Sequence, residues 1–318
     1  MPAATHAGQA FHTPMPVLPS FDYIRPATPQ EVTRLLRKSD GRARLFMGGT
    51  DVFVRMRDGF TPLKGVLGIA PRVLIDVKHL PGMTQIETGS RKGLIVGAAV
   101  DMNSLAAHPA VVEHYPLLAE ALHAVASYQL RTRATMGGNL CNGSPAADTA
   151  PAALVLEANM VLHGRRGERV VPITEFFLGP GRTAVKPSEF LLRIEIPPAP
   201  KGAVGRYIKL GRNAIGDLAI VGVAVLGYPD KKAKFGYRFR IALASVAPMP
   251  IRVPEAEAIL AASPITPDVI EAAATAAMET AKPIDDVRSS AAYRKAMVRN
   301  LTRRAVTEVW EKLGRQST

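Results

Sequence analysis

Thr135-Met136-Gly137-Gly138-Asn139-Leu140-Cys141-Asn142-Gly143-Ser144-Pro145-Ala146-Ala147-Asp148-Thr149 is the stretch whose reading decides the fold. It holds three glycines, two asparagines and four hydroxyl or carboxylate side chains, far more polar punctuation than a plain connector needs. A shorter stretch, Met47-Gly48-Gly49-Thr50-Asp51, repeats the same device earlier in the chain. Each sets a Gly-Gly pair beside Thr, Asp or Asn. Glycine accepts positive φ and has no Cβ, so the chain can bend tightly and approach a ligand closely. Consecutive N–H groups then face one concavity, which suits a diphosphate.

The longer stretch adds donors at Thr135, Asn139, Asn142 and Ser144, and an acceptor at Asp148 suited to a ribose or ribityl hydroxyl. Asp148 could equally cap a helix beginning at Thr149-Ala150-Pro151. Taken alone, a Gly-Gly pair is most often a turn. Neither stretch has the strand, G-x-G-x-x-G and helix of a dinucleotide fold, and neither carries the lysine of a P-loop.

Outward from these stretches, three blocks are visible. In the first, Thr28-Pro29-Gln30-Glu31 opens a helix with a threonine cap, proline at the first position and glutamate at the third. Leu45-Phe46-Met47 is a short strand running straight into Gly48-Gly49. In the second block, residues 73–77, 94–98 and 190–196 read as strands, and 161–163 with 168–171 as a hairpin turning at 164–167. Residues 117–125 and 151–156 read as apolar helices. Pro197-Pro198-Ala199-Pro200-Lys201-Gly202 is a linker. The third block has antiparallel strands at 207–210, 220–226 and 237–244, then helices at 255–261, 267–281 and 289–313. In the last helix Tyr293, Met297, Leu301 and Val309 are expected to face a core. Strands followed by helices argue α+β rather than a doubly wound sheet. The division expected is a loose tail over residues 1–18, a ligand-binding region over 19–198 in two parts (19–60 and 61–198), and a C-terminal α+β domain over 201–318.

Composition excludes several functions. With 318 residues, 47% hydrophobic and 21% charged, the chain is ordinary globular protein. No apolar run approaches the roughly 20 residues that span a bilayer, and the start lacks the pattern of a signal peptide, so a cytoplasmic protein without a transmembrane segment is expected. Cys141 is the single cysteine, and no histidine spacing suggests metal, so no iron–sulfur cluster or zinc site belongs to this chain. The net charge is +13. Its densest basic stretch is Arg294, Lys295, Arg299, Arg303 and Arg304, which reads as a solvated helix face or a docking face for an acidic subunit.

The two glycine stretches resemble the pyrophosphate loops of the FAD-binding subunit of the xanthine dehydrogenase family, which includes carbon monoxide dehydrogenase medium subunits and 4-hydroxybenzoyl-CoA reductase β subunits. Residues 94–99, 187–192, 207–209 and 290–294 also match, and the resemblance runs over nearly the whole chain from about Pro19. It implies a two-lobed, PCMH-type FAD-binding fold followed by a C-terminal domain of antiparallel sheet and helices. By position, Leu45, Phe46, Met47, Gly48, Gly49, Thr50, Asp51 and Val52 would wrap the diphosphate and adenosine side. Thr135, Gly138 and Asn139, with Ser144 nearby, would hold the diphosphate from the opposite side. Asp148 matches an acidic residue that contacts the cofactor, Leu191 a wall residue, and Lys209 a basic residue at the flavin ring. Val125 stands where some relatives set an aromatic beside the ring. The cysteine-rich insert of the 4-hydroxybenzoyl-CoA reductase type is missing, which makes that chemistry unexpected.

What the resemblance implies is a flavin subunit with no catalytic acid or base and no metal of its own. A molybdopterin large subunit would oxidise substrate, and an iron–sulfur small subunit with two 2Fe–2S clusters would pass electrons to the FAD. NAD, oxygen or a quinone-linked carrier would accept them, within a dimer of heterotrimers. Two other readings are weighed against it. A stand-alone FAD oxidoreductase of the vanillyl-alcohol-oxidase type would need its own base near the flavin, and no cluster of His, Tyr or Arg supplies one. A basic nucleic-acid-binding module would need aromatic interleaving, which is absent, so no nucleic acid partner is expected.

Overall fold

The computed structural model describes residues 18–57, 71–89, 93–213 and 216–316. The expected tail lies almost wholly outside them. The first group of elements is β1 (Asp22–Ile24), α1 (Pro29–Lys38), β2 (Ala43–Phe46), α2 (Thr50–Arg57) and β3 (Val73–Asp76). Helix α1 starts where the sequence reading puts it. The Thr28 side chain accepts from the Glu31 N–H at 3.2 Å, and the Glu31 carboxylate accepts from the Ala27 N–H at 2.9 Å. The strands form a parallel sheet in the order β1-β3-β2, with Ala43 and Asp22 both paired to Val73. Strand β2 therefore delivers Met47, Gly48 and Gly49 at the carboxyl edge of a parallel sheet. Gly49 takes φ +75°, and α2 begins at the next residue. Thr50, Asp51 and Val52 are thus the first turn of a helix rather than loop.

The second group holds β4 (Ile86–Gly89), β5 (Gly93–Gly97), α3 (Met102–Ala107), α4 (Pro109–His114), α5 (Pro116–His123), α6 (Tyr128–Arg131), α7 (Met136–Cys141), α8 (Thr149–Val155), β6 (Asn159–Gly164), β7 (Gly167–Pro172), β8 (Phe177–Gly179), β9 (Arg182–Thr183) and β10 (Phe190–Ile196). Five strands make an antiparallel sheet in the order β4-β5-β10-β6-β7. Central β10 buries Phe190, Leu191, Ile194 and Ile196, so an apolar run suits it. The polar stretch 135–149, read from sequence as one long loop, is a short helix, a turn and the start of another helix. Thr135 caps α7, its hydroxyl accepting from the Gly138 N–H at 2.9 Å.

The third group is β11 (Val204–Leu210), β12 (Val221–Pro229), β13 (Tyr237–Ala244), β14 (Ile251–Arg252), α9 (Pro254–Ala262), α10 (Pro267–Thr280) and α11 (Ala291–Gln316). Its antiparallel sheet runs β11-β12-β13-β14. The buried stripe of α11 is Arg294, Val298, Thr302, Ala305, Val306, Val309 and Leu313. Of the residues expected to face a core, Val309 is buried and Met297 and Leu301 pack against the same core, while Tyr293 is exposed, one position off the stripe. Lys295, Arg299, Arg303 and Arg304 of the basic stretch are exposed, as a solvated face requires, and Arg294 is the exception. Arg294 is buried, its Nη1 donating to the Ile220 and Ser245 carbonyls at 2.8 and 2.9 Å and its Nη2 to Asp286 at 2.7 Å. Arg299 and Arg303 pair with Glu271, and Arg304 with Glu308.

Strand β11 is tied to the second group at several points. Arg206 bridges Glu120 on α5 (2.6 Å) and Glu308 on α11 (2.7 Å), and the Tyr207 N–H donates to the same Glu120 at 2.7 Å. Gly205 packs on Leu117, where a Cβ would meet the leucine Cβ at 2.7 Å. The Ser245 N–H donates to the Pro145 carbonyl at 2.7 Å. These contacts hold the third group against the polar stretch and carry Tyr207 and Lys209 to the site.

Candidate functional site

A cavity of about 710 Å³ opens where the three groups meet. That volume lies within the range of about 300–1,000 Å³ usual for pockets that take a small molecule or cofactor. Leu45, Met47, Gly48, Gly49, Thr50, Asp51 and Val52 line one side. Thr135, Gly138, Asn139, Ser144 and Asp148 line another, with Val125 and Leu191 on the walls. The two glycine stretches are therefore brought together across one space. Phe46 turns away from it. Its ring packs in a small separate core with Tyr23, Phe53, Met56 and Leu74. Lys209 stands behind the cavity wall and reaches the site through Asp148.

The glycines are needed for approach rather than flexibility alone. A Cβ on Gly48 would lie 2.1 Å from the Arg133 carbonyl oxygen, and one on Gly137 2.4 Å from the Ala98 oxygen. Gly49 combines positive φ with a Cβ position 2.4 Å from the Phe46 ring. The first glycine stretch is thus stacked on the backbone just ahead of the second. Asn139 accepts from the Thr149 hydroxyl at 2.6 Å, so its oxygen is spent within the protein and its NH₂ is what remains to donate to a ligand.

Asp148 does not cap α8. Its carboxylate instead accepts from the Tyr207 hydroxyl at 2.7 Å and from Lys209 Nζ at 2.8 Å. Burial pushes the Asp148 carboxyl above the ordinary carboxylate value, opposed by the Lys209 charge and by both hydrogen bonds. Burial and the Asp148 charge hold the Tyr207 phenol well above its usual value, so it stays a neutral donor. Asp51 is also raised by burial, against the pull of Arg55.

Sequence reasoning missed part of the lining: Arg44, Val54 and Arg55 from β2 and α2, Ala126, Leu130, Thr183, and Asp217 with Leu218 beyond β11. Val54 and Arg55 follow Thr50 and Asp51 by one helical turn, a periodicity visible only once 50–57 is known to be helix. Tyr207 and Arg131 stand behind the lining; the match over 207–209 covers Tyr207 without giving it a role, and no local motif marks Arg131. Cys141 is half-buried on the cavity wall, its thiol pushed up to about 12 by burial, which leaves it neutral and poorly nucleophilic. Among the described residues no cluster of His, Cys, Asp or Glu could hold a metal, and no helix is long and apolar enough to cross a membrane.

The chain is similar to known proteins over nearly its whole length. Residues 19–199 match the FAD binding domain in molybdopterin dehydrogenase, and residues 206–309 match the CO dehydrogenase flavoprotein C-terminal domain. The chain is 33% identical over 293 residues to the carbon monoxide dehydrogenase medium chain of Hydrogenophaga pseudoflava, covering 92% of this chain and 98% of that one. It is 30% identical over 287 residues to a putative xanthine dehydrogenase FAD-binding subunit of Escherichia coli K12, covering 90% and 94%. A solved carbon monoxide dehydrogenase from Hydrogenophaga pseudoflava superposes with a TM-score of 0.85 at 34% identity, covering 93% of this chain and 99% of that one. The relatives are medium chains or subunits of larger enzymes, and the stand-alone flavoenzyme reading finds no support among them. The chain belongs to the family of FAD-binding subunits of the molybdenum hydroxylases, in which carbon monoxide dehydrogenase and xanthine dehydrogenase stand.

Proposed function

We propose that the cavity between the two glycine stretches is the FAD site, and that the chain works as the electron outlet of a three-subunit enzyme. The residues present fit the cofactor. The cavity is large enough, two glycine approaches flank it, and Gly48 and Gly49 leave no room for a Cβ. The observation that carries the reading is the meeting of 45–52 with 135–148 across this one space.

In this reading Leu45, Met47, Gly48, Gly49, Thr50, Asp51 and Val52 hold the diphosphate and adenosine half, the N-terminus of α2 facing the negative charge. Phe46 supports that loop from beneath. Thr135, Gly138, Asn139 and Ser144 grip the diphosphate from across the cavity. Asp148 and Lys209, with Leu191 and Val125, border the ring and its ribityl chain. FAD bound there supplies the exchange between one-electron clusters and a two-electron acceptor. The chain's own residues bind, orient and shield, and none is needed as acid or base.

The division of labour along the chain follows: residues 19–198 form the FAD-binding region in two parts, 19–60 and 61–198, and 201–318 the C-terminal domain. The partners are an iron–sulfur small subunit and a molybdopterin large subunit, assembled as a dimer of heterotrimers in the cytoplasm. NAD or another carrier is the acceptor. The medium-chain names of the relatives and the lack of a cluster-binding cysteine set in this chain support this assignment. Co-expression with the neighbouring subunit genes and purification tests it. One FAD per copy, released by heat, with iron and molybdenum on the other chains, is the expected result. A pure chain or complex without flavin absorption would overturn it.

A further inference from the structure

The turn that ends α5 forms part of the cavity wall through Val125 and Ala126. Its four consecutive carbonyls, from His123 to Ala126, are all taken by two cations. Arg131 Nη1 donates to the carbonyls of His123 (3.1 Å), Val125 (2.8 Å) and Ala126 (3.3 Å), while Lys209 Nζ donates to that of Ala124 (2.8 Å). Arg131 is only 8% exposed. Its Nε donates to Asn103 Oδ1 at 3.1 Å, and Asn103 Nδ2 donates in turn to the Tyr128 carbonyl at 2.9 Å, so the guanidinium is fixed from both sides. No carboxylate pairs with it among the described residues.

The turn carries strain. Ala126 takes φ +44°, a left-handed conformation that an L-residue other than glycine adopts only at a steric cost. Such a residue persists where its surroundings over-determine it, and such sites cluster at ligand clamps. Here the surroundings are Arg131 and Lys209. Arg131 does not itself line the cavity, and a plain helix-end cap would need only the last carbonyls of α5. Instead the grip continues past the helix end, through the two residues that face the cavity.

Resting on the assignment of this cavity to FAD, we propose that Arg131 is a positioning residue for the flavin ring. It holds the Val125–Ala126 wall in its strained conformation through three carbonyls, and its unpaired buried charge favours the more negative, reduced flavin.

The test uses the complex as isolated. R131M removes the charge and every donor; R131K keeps the charge and part of the donor set. For R131M the expected results are FAD binding about tenfold weaker, an altered visible circular dichroism of the bound flavin, and a midpoint potential shifted to more negative values. R131K should recover part of each. The melting temperature of the FAD-free complex is measured alongside. An R131M complex with unchanged flavin dichroism and potential would overturn the proposal, as would FAD loss that only follows a fall in FAD-free stability. If R131M does not fold, N103A, which frees the Nε side of the guanidinium but keeps its charge, is read by flavin dichroism and FAD affinity: changes in both at unaltered FAD-free stability support the positioning role, and no change in either overturns it. A wild-type complex without FAD would instead defeat the cofactor assignment itself.

Discussion

Gly48 rests on the backbone of Arg133, so closely that a Cβ on it would sit 2.1 Å from the Arg133 carbonyl oxygen and 2.8 Å from its carbon. Residues far apart in sequence are thereby locked at one point, within a core that Met47 also shares with Ala134 and Met136. Backbone cannot rotate away as a side chain can, so even a methyl group must push the two stretches apart.

G48A is therefore expected to cost about 1–3 kcal/mol of stability by overpacking and to lower FAD affinity at least about tenfold. The flavin-to-protein absorbance ratio after gel filtration measures the second effect. G167A is the control. Gly167 has φ +95° at the start of β7, just after the hairpin turn, with nothing within 4 Å of its Cβ position. It should lose about 1 kcal/mol through backbone strain and keep its flavin.

Asp76 ends β3 as a fully buried carboxylate, and Lys78 reaches from it at 2.8 Å to the Met47 carbonyl at 3.3 Å and over the Phe46 ring. Burial alone would raise the Asp76 carboxyl, but hydrogen bonds from Lys78 and Tyr23 more than reverse this, and its pKa lies below the ordinary value. A depressed folded-state pKa means stability that is present above the unfolded pKa of about 4 and is lost as pH falls through the folded one. D76N should thus lose about 1–3 kcal/mol at neutral pH. Its deficit relative to wild type should shrink steadily below about pH 4. Urea titrations at a series of pH values would show this; a deficit independent of pH would count against it.

The buried Tyr207 hydroxyl donates to Asp148, with Lys209 on the other carboxylate oxygen. Y207F removes one donor and leaves the ion pair, at an expected cost of about 1–2 kcal/mol. D148N removes the negative charge opposite Lys209 and replaces one carboxylate oxygen with an NH₂ that cannot accept, so it should weaken FAD binding more than Y207F does. A double-mutant cycle should report coupling of about 1 kcal/mol or more, since the residues share one network.

Cys141 lines the cavity but is held neutral, with a pKa of about 12. The folded protein is expected to resist alkylation at pH 8, and C141S to bind FAD as well as wild type. Mass spectrometry of the denatured chain should give the bare polypeptide mass. A flavin adduct there would contradict the assignment of Cys141 as a bystander.

Much of the fold was legible because it rests on local rules. The Thr28–Glu31 capping pair, the 164–167 hairpin and strands 190–196 and 237–244 all lie where composition and periodicity put them. The reading slipped where two rules competed. In 135–149, glycine and asparagine signal a turn, yet Thr135 capping and the fit of Gly137 against Ala98 favour a helix. In α11 the basic residues suggested a wet surface, but Arg294 lies on the buried stripe because three oxygens from distant segments satisfy it there.

The sequence by itself determined the two glycine stretches, a single thiol's inability to build a cluster, and the α+β order of elements. These follow from what each residue type can and cannot do with its own backbone and side chain. Only the tertiary structure decided that Gly48 meets Arg133, that Asp148 serves Tyr207 and Lys209 instead of a helix end, and that Arg131 grips the strained turn at Ala126. The first two join groups that become neighbours only after the sheets pack; the third joins residues five to eight apart that burial forces into one turn. Their strength comes from burial, which makes an unpaired polar group costly and so forces partners together that no sequence spacing reveals.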